Sequence, residues 1–208
     1  MSLRDDTIAG FLDSLAARTP APGGGATGAL HLGQAAALVS MVARYTTGKR
    51  YADHGMLVER ICASADAFRE KALQFAEDDM AAFTAVIDAY RLPQDTDDET
   101  GARTSAIATA LAGAAAVPAE VVVAAGDVVA LADVLLPVAN RTVVSDVAAA
   151  AEAARAAATT ARVNIEVNLP GITDPDTRRA LTECLSGVDA IVERADAVTT
   201  RVRKQLSS

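Results

Sequence analysis

Apolar residues recur at three- and four-residue intervals over long stretches of the chain, and no two-residue alternation survives comparison with that helical reading. The longest helix predicted this way runs from Met56 to Arg91. On a wheel of about 100° per residue, Leu57, Ile61, Ser64, Phe68, Ala72, Phe75, Phe83, Val86 and Tyr90 form one apolar stripe. Asp79 falls near the middle of it, while Glu77 and Asp78 point away as ordinary solvated charges. A carboxylate on a buried face must be paired, neutralised or used. Asp79 is therefore the first candidate for chemistry.

The remaining pattern fills the chain with helices. Thr7 caps a short one whose Ile8, Phe11, Leu12 and Leu15 share a face, and it is expected to pack on the body. Residues 19–43 hold no Asp, Glu, Lys or Arg, a run long enough to raise a membrane span. Its Pro-Ala-Pro-Gly-Gly-Gly opening and the later Gly28, His31, Gly33, Gln34 and Ser40 suit a helix surrounded by protein instead, predicted over 26–46. After the polar stop at Leu92-Pro93, an alanine-rich helix covers 100–117, and Pro118 takes a first-turn position in another that reaches 138. Asn140 to Ser145 is a break, with Ser145 or Asp146 capping a helix that ends at Pro170-Gly171. Asp174 and Pro175 open the last helix, whose Leu181, Leu185, Val188, Val192, Ala195, Val198 and Val202 make a continuous stripe. The expected fold is all-α, one helical bundle with long central helices spanning 1–208.

Composition sharpens this picture. Hydrophobic residues make up 51% of the 208 and charged ones 22%, as in a globular protein with a sizeable core. Aromatics are 3% with no Trp, so alanine and valine must build that core by close approach of thin helices. A net charge of −8 excludes a general nucleic-acid surface, and the nearest cationic cluster, Arg44, Lys49 and Arg50, suits one small anion. Cys62 and Cys184 lie far apart without metal-ligand spacing, and a reducing compartment is expected. The charged start, Met-Ser-Leu-Arg-Asp-Asp, lacks the apolar run of a signal peptide, so a cytoplasmic protein is expected. The small-residue helix from Ala26 to Ala43 would be wasted on a surface, and a self-complementary two-fold contact through it is the simplest arrangement.

Several constellations could carry chemistry. Gly23, Gly24 and Gly25 expose backbone N–H groups at a helix N-terminus, which can hold an anion or simply start the helix. No Gly-Lys-Ser/Thr ending follows, so this is not a Walker loop. Thr46-Thr47-Gly48-Lys49 reads as a helix stop with cations at the negative dipole end, or as a place for Lys49 on an anionic ligand. Asn164 and Asn168, four apart beside Arg162, are either a buried amide ladder or ligand donors. His31 and His54 have no partner at helical spacing and are read as structural, so no metal site is expected. For Asp79 itself, a buried carboxylate hub remains open beside a catalytic group.

Taken in order, Thr19-Pro-Ala-Pro-Gly-Gly-Gly25, Thr46-Thr-Gly-Lys49, Asp79-Met-Ala-Ala-Phe83, Arg91-Leu-Pro93, Val117-Pro118, Asn140 with Ser145-Asp146, and Asn164 to Leu169 resemble the signature blocks of the cyclodeaminase/cyclohydrolase family. The resemblance covers nearly the whole chain. It implies an all-helical homodimer acting on the one-carbon bridge of a tetrahydrofolate substrate, with no metal and no resident cofactor. It places the acid/base residue on Asp79, and puts Gly23, Gly24, Gly25, Thr27, Lys49, Asn140, Ser145, Asp146, Asn164 and Asn168 around the folate pocket. Ala26 followed by Thr27 stands where the family often has Ser, His31 where a small residue is usual, and Glu77 where Asp is frequent.

The reaction implied first is reversible hydrolysis of 5,10-methenyltetrahydrofolate to 10-formyltetrahydrofolate. Ammonia elimination from 5-formiminotetrahydrofolate is the alternative, and the lack of a fused formiminotransferase domain in the chain tilts the expectation to the hydrolysis. A non-catalytic folate-binding dimer, and a relative recruited to another amidine-containing metabolite, are the readings of other classes.

Overall fold

Alanine and valine decide how these helices meet. In the structure, a computed structural model that describes residues 3–207, buried alanines line nearly every helix contact. Six α-helices follow one another: α1 (Ile8–Ala16), α2 (Gly24–Tyr45), α3 (Gly55–Tyr90), α4 (Asp97–Leu135), α5 (Val144–Asn168) and α6 (Pro175–Leu206). Short 3₁₀ turns at Lys49–His54, Arg141–Val143 and Leu169–Gly171 join them, and no strand occurs among the described residues. Met1, Ser2 and Ser208, and with them the first two residues of the charged start, lie outside the described residues.

α2 is the centre. α3 and α5 pack along it and α4 touches it, burying Ala26, Ala29, Ala35, Ala36 and Ala43 together with Leu32, Val39 and Val42. Its small residues are thus consumed inside the chain, where Cβ atoms let backbones come close. Leu32, Leu135, Leu136, Ile165 and Ile172 are the largest fully buried side chains, each worth about 1.5–3 kcal/mol against exposure. α2 and α4 are both long and apolar enough to cross a membrane, with mean hydropathy 1.3 and 1.9. α2 is enclosed on all but one face, and α4 runs between α3, α5 and α6.

Thr7 caps α1 by accepting from the Gly10 N–H, and Asp174 caps α6 through Thr177, as the sequence predicts. Leu181, Val188, Ala195, Val198 and Val202 of α6 are buried. Five expectations are corrected. First, α3 buries Val58, Ile61, Ala65, Ala72, Phe75, Ala76, Val86 and Ala89, whereas Ser64, Phe83 and Tyr90 of the predicted stripe are exposed. The helix makes about ten turns and packs on α2 and then α4, so its contact face shifts toward positions with small side chains.

Second, α4 does not break at Pro118 but runs from Asp97 to Leu135, opened by a capping box between Thr96 and Glu99. Third, α5 is not capped by Ser145 or Asp146. Asn140 caps the preceding 3₁₀ turn by accepting from Thr142, and α5 continues from it at Val144. Fourth, α1 does not pack on the body: it buries no residue, and Ile8 is 83% exposed. Fifth, Glu77, read as a free solvated charge, instead accepts from the Leu3 N–H at 3.0 Å.

Candidate active site

The glycine-rich segment ends by starting α2, and it starts it without a side-chain cap. Gly23 is the extended N-cap residue, and the first helical bond is Thr27 N–H to Gly23 O at 3.0 Å. The N–H groups of Gly24, Gly25 and Ala26 therefore have no partner within the helix and carry the positive end of its dipole. Asp79, from the middle of α3, brings its carboxylate against this end. A Cβ on Gly25 would overlap that carboxylate, so the contact exists only because residue 25 has none. Burial pushes the Asp79 pKa above the ordinary carboxylate value, and the Ala26 N–H pulls it partly back.

α5 supplies the opposite wall. Asn164 donates its amide N–H to Thr160 O at 2.8 Å, and Asn168 donates to Asn164 O at 2.9 Å. Both acceptors are carbonyls, which fixes the amide orientation and leaves the two Asn carbonyl oxygens unspent. Asn168 also reaches Ala114 O of α4 at 3.5 Å. The partner of that carbonyl in an unbroken helix would be the N–H of residue 118, which is proline and has none.

Together these groups enclose a pocket of about 170 Å³ lined by Pro20, Ala21, Gly23, Gly24, Gly25, Asp79, Phe83, Ala114, Asn164, Val167 and Asn168. No Lys, Arg or His is among them. The pocket offers one protonatable carboxylate, two amide acceptors and helix-end N–H donors, with Phe83 and Val167 as apolar walls that are largely exposed. A larger groove of about 450 Å³ beneath α1 is mostly apolar, with Asp6, His31 and Arg69 among its lining.

Of the residues predicted for the site, Asp79, Gly23, Gly24, Gly25, Asn164 and Asn168 come together here. The others do not. Thr27 donates to Gly23 O at 2.9 Å and lies on the wall of the groove under α1. Lys49 is exposed beyond the C-terminal end of α2, about 33 Å along the helix from Gly24. Asn140 ties that same end down, donating to Tyr45 O at 2.8 Å and receiving Thr142 on its other amide atom. Ser145 and Asp146 begin α5 beside it. Pro20, Ala21, Phe83, Ala114 and Val167 were not singled out for the pocket. Phe83 sits four residues after Asp79, a helical spacing that could have found it, while the one sequence sign at Ala114 is Pro118 four residues on, which leaves its carbonyl without a helical N–H.

A helical bundle that shelters one protonatable carboxylate between free backbone N–H groups and amide carbonyls has the groups that a proton transfer at a small polar centre requires. A family model described as formiminotransferase-cyclodeaminase matches residues 7–186. The methenyltetrahydrofolate cyclohydrolase of Methylorubrum extorquens is 34% identical over 205 residues, 98% of this chain and 97% of that protein. The formimidoyltransferase-cyclodeaminase of Mus musculus is 32% identical over 83% of this chain, a stretch that covers 32% of the mouse protein. The crystal structure of formiminotetrahydrofolate cyclodeaminase from Thermotoga maritima superposes over the whole of both chains with a TM-score of 0.87 and 29% identity. The chain belongs to the formiminotransferase-cyclodeaminase family.

Proposed function

We propose that this chain is a folate one-carbon enzyme that hydrolyses 5,10-methenyltetrahydrofolate reversibly to 10-formyltetrahydrofolate. The observation that carries the reading is Asp79, half-buried with a raised pKa at the uncapped start of α2. Water adds to the amidinium carbon as Asp79 takes one of its protons. The protonated Asp79 then gives that proton to N5, the carbon–N5 bond breaks, the new hydroxyl loses its proton to solvent, and the formyl group stays on N10. A carboxylate with a raised pKa suits both halves of this exchange. The unspent carbonyl oxygens of Asn164 and Asn168 favour the cationic amidinium, and the N–H groups of Gly24 and Gly25 favour oxygen that gains negative charge. The scheme uses no metal and no resident cofactor, and we take the working form to be a homodimer.

Identity to the M. extorquens cyclohydrolase over nearly the full length of both chains supports hydrolysis over ammonia elimination. The likeness to the T. maritima structure favours a second reading, ammonia elimination from 5-formiminotetrahydrofolate in the same pocket. Assaying wild type and Asp79→Asn with both folates separates them. Hydrolysis of the methenyl compound, reduced roughly 10²- to 10⁴-fold in a folded Asp79→Asn, is the expected result. Turnover of the formimino compound alone would establish the second reading; turnover of neither would overturn both, with folate binding then separating a non-catalytic folate binder from an enzyme of another amidine-containing metabolite.

A further inference from the structure

The pocket around Asp79 is divided in two. Its inner end is polar, with Asp79 against the start of α2 and the amides of Asn164 and Asn168 across from it. Its rim is apolar: Phe83 of α3 is 45% exposed and Val167 of α5 is 71% exposed, on opposite sides of the opening. Of the four Phe in the chain, Phe83 alone is exposed, and neither it nor Val167 is part of the hydrophobic core. Each stands one helical turn from a polar group of the inner end. Phe83 follows Asp79 by four residues, about 6 Å along α3, and Val167 follows Asn164 by three, about 4.5 Å along α5.

At about 170 Å³ the pocket is smaller than the roughly 300–1,000 Å³ that encloses a drug-sized ligand, so it takes one part of a folate and leaves the rest outside. Charge decides which part. The glutamate end carries carboxylates, and the lining holds no Lys, Arg or His to pair with them, so that end stays in water. With the one-carbon bridge at Asp79 and the glutamate in solvent, the p-aminobenzoyl ring between them has to cross the rim. Both faces of that ring are flat and apolar, which suits a slot between an aromatic ring and a branched aliphatic side chain. The pteridine, with its polar edges, is left to the inner end.

We propose, resting on the folate reading above, that Phe83 and Val167 form a slot for the p-aminobenzoyl ring and so orient the substrate with its pteridine inward and its glutamate outward. The two side chains bind and position; they take no part in the proton transfer. They also select, because a pterin that lacks the aryl group on its bridge nitrogen fills the inner end and leaves the slot empty.

Two measurements test this, the first without turnover. The sequence has no Trp, so Phe83→Trp gives a chain with a single one at the rim, and Tyr90→Trp, exposed on the same helix outside the pocket lining, is the control. Saturable quenching by 5-formyltetrahydrofolate and by p-aminobenzoylglutamate is expected in Phe83→Trp and not in Tyr90→Trp. Quenching by 6-methyltetrahydropterin but not by p-aminobenzoylglutamate would reverse the orientation, and no saturable quenching by any of the three would overturn the slot. The second measurement is kinetic, with 5,10-methenyltetrahydrofolate. An aromatic pair contributes roughly tenfold in affinity, so Phe83→Ala should raise KM about tenfold with kcat nearly unchanged, and Val167→Ala should raise it less. Phe83→Tyr should keep the wild-type KM, and Val163→Ala, an exposed valine outside the lining, should change nothing. A fall in kcat at unchanged KM, or Phe83→Tyr no better than Phe83→Ala, would overturn the positioning role. Quenching by the folate with no turnover of either substrate sinks the function reading and leaves the slot; turnover without quenching sinks the slot alone.

Discussion

At the scale of single residues, Asp79 and Gly25 are one unit. Burial raises the Asp79 pKa, so ionisation above that value costs native stability. The cost is absent below the unfolded carboxylate pKa of about 3.9, grows as pH rises through the folded value, and is constant beyond it. Asp79→Asn removes the charge and keeps an oxygen for the Ala26 N–H. It should therefore melt higher than wild type at pH 8 and equally at acid pH, while losing activity. Paired thermal melts at the two pH values check this, and a lower melting point at pH 8 would mean that the pocket prefers the charged form. Gly25→Ala forces a methyl group into the carboxylate. Overpacking of this kind typically costs about 1–3 kcal/mol, and here it also displaces the carboxylate proposed to carry the proton, so both melting temperature and kcat should fall. Adding Asp79→Ala should restore most of the stability and none of the activity, because the two substitutions share one contact.

At the scale of elements, α4 shows how a proline can serve a helix it does not break. Pro118 is buried inside α4 and leaves Ala114 O without its helical N–H, and Asn168 of α5 reaches that carbonyl. The proline thus makes an acceptor at the pocket wall and helps set the Asn168 amide. Pro118→Ala supplies the missing N–H and removes a residue that is unfavourable inside a helix by about 3 kcal/mol, partly offset by lost packing. The variant should melt higher yet show a raised KM for the folate, as Asn168 loses a fixed partner; an unchanged KM would show that Asn164 alone holds the amide. The sequence could not display this. α1, α3 and α6 were legible from their repeating apolar faces, α5 from the break before it and Pro170-Gly171 after it, and α2 from a charge-free run behind its glycines, but over 106–132 α4 is mainly alanine and valine with only Glu120 and Asp127 charged, so its strongest punctuation is Pro118, which by local rules starts a new helix. Tertiary packing on α3, α5 and α6 overrides that rule. The site was legible to the same depth: Asp79 stood out as a charge at an apolar position, and the glycines as a run. That Gly24 and Lys49 stand at opposite ends of one helix was already contained in the helix predicted over 26–46, about 30 Å long, although the resemblance gathers both at one pocket.

At the scale of the molecule, ion pairs rather than large side chains fasten the long helices at their edges. Arg44 of α2 pairs with Asp66 of α3 at 2.5 Å over the buried Ser40 hydroxyl, which donates to Asp66 at 2.7 Å. Arg194 and Arg201 of α6 both hold Asp133 of α4. Arg44 and then Ser40 keep the Asp66 carboxyl below the ordinary range, and at Asp133 burial pushes upward but Arg201 and Arg194 outweigh it. Lowered carboxylates contribute stability above their unfolded pKa of about 3.9 and lose it as pH falls through their folded values. Asp79 has the opposite sign, so acid relieves the pocket while it unfastens the bundle. Acid unfolding should therefore begin below about pH 4, and Asp133→Asn, which breaks the α4–α6 clasp at both arginines, should lower the neutral-pH melting temperature and flatten its fall in acid. Because these pairs are partly exposed, 1 M salt should shrink the difference between the variant and wild type. A pH-melt series at low and high salt reads both effects, and an Asp133→Asn curve coincident with wild type at every pH would show that the apolar contacts of α6 alone hold it in place.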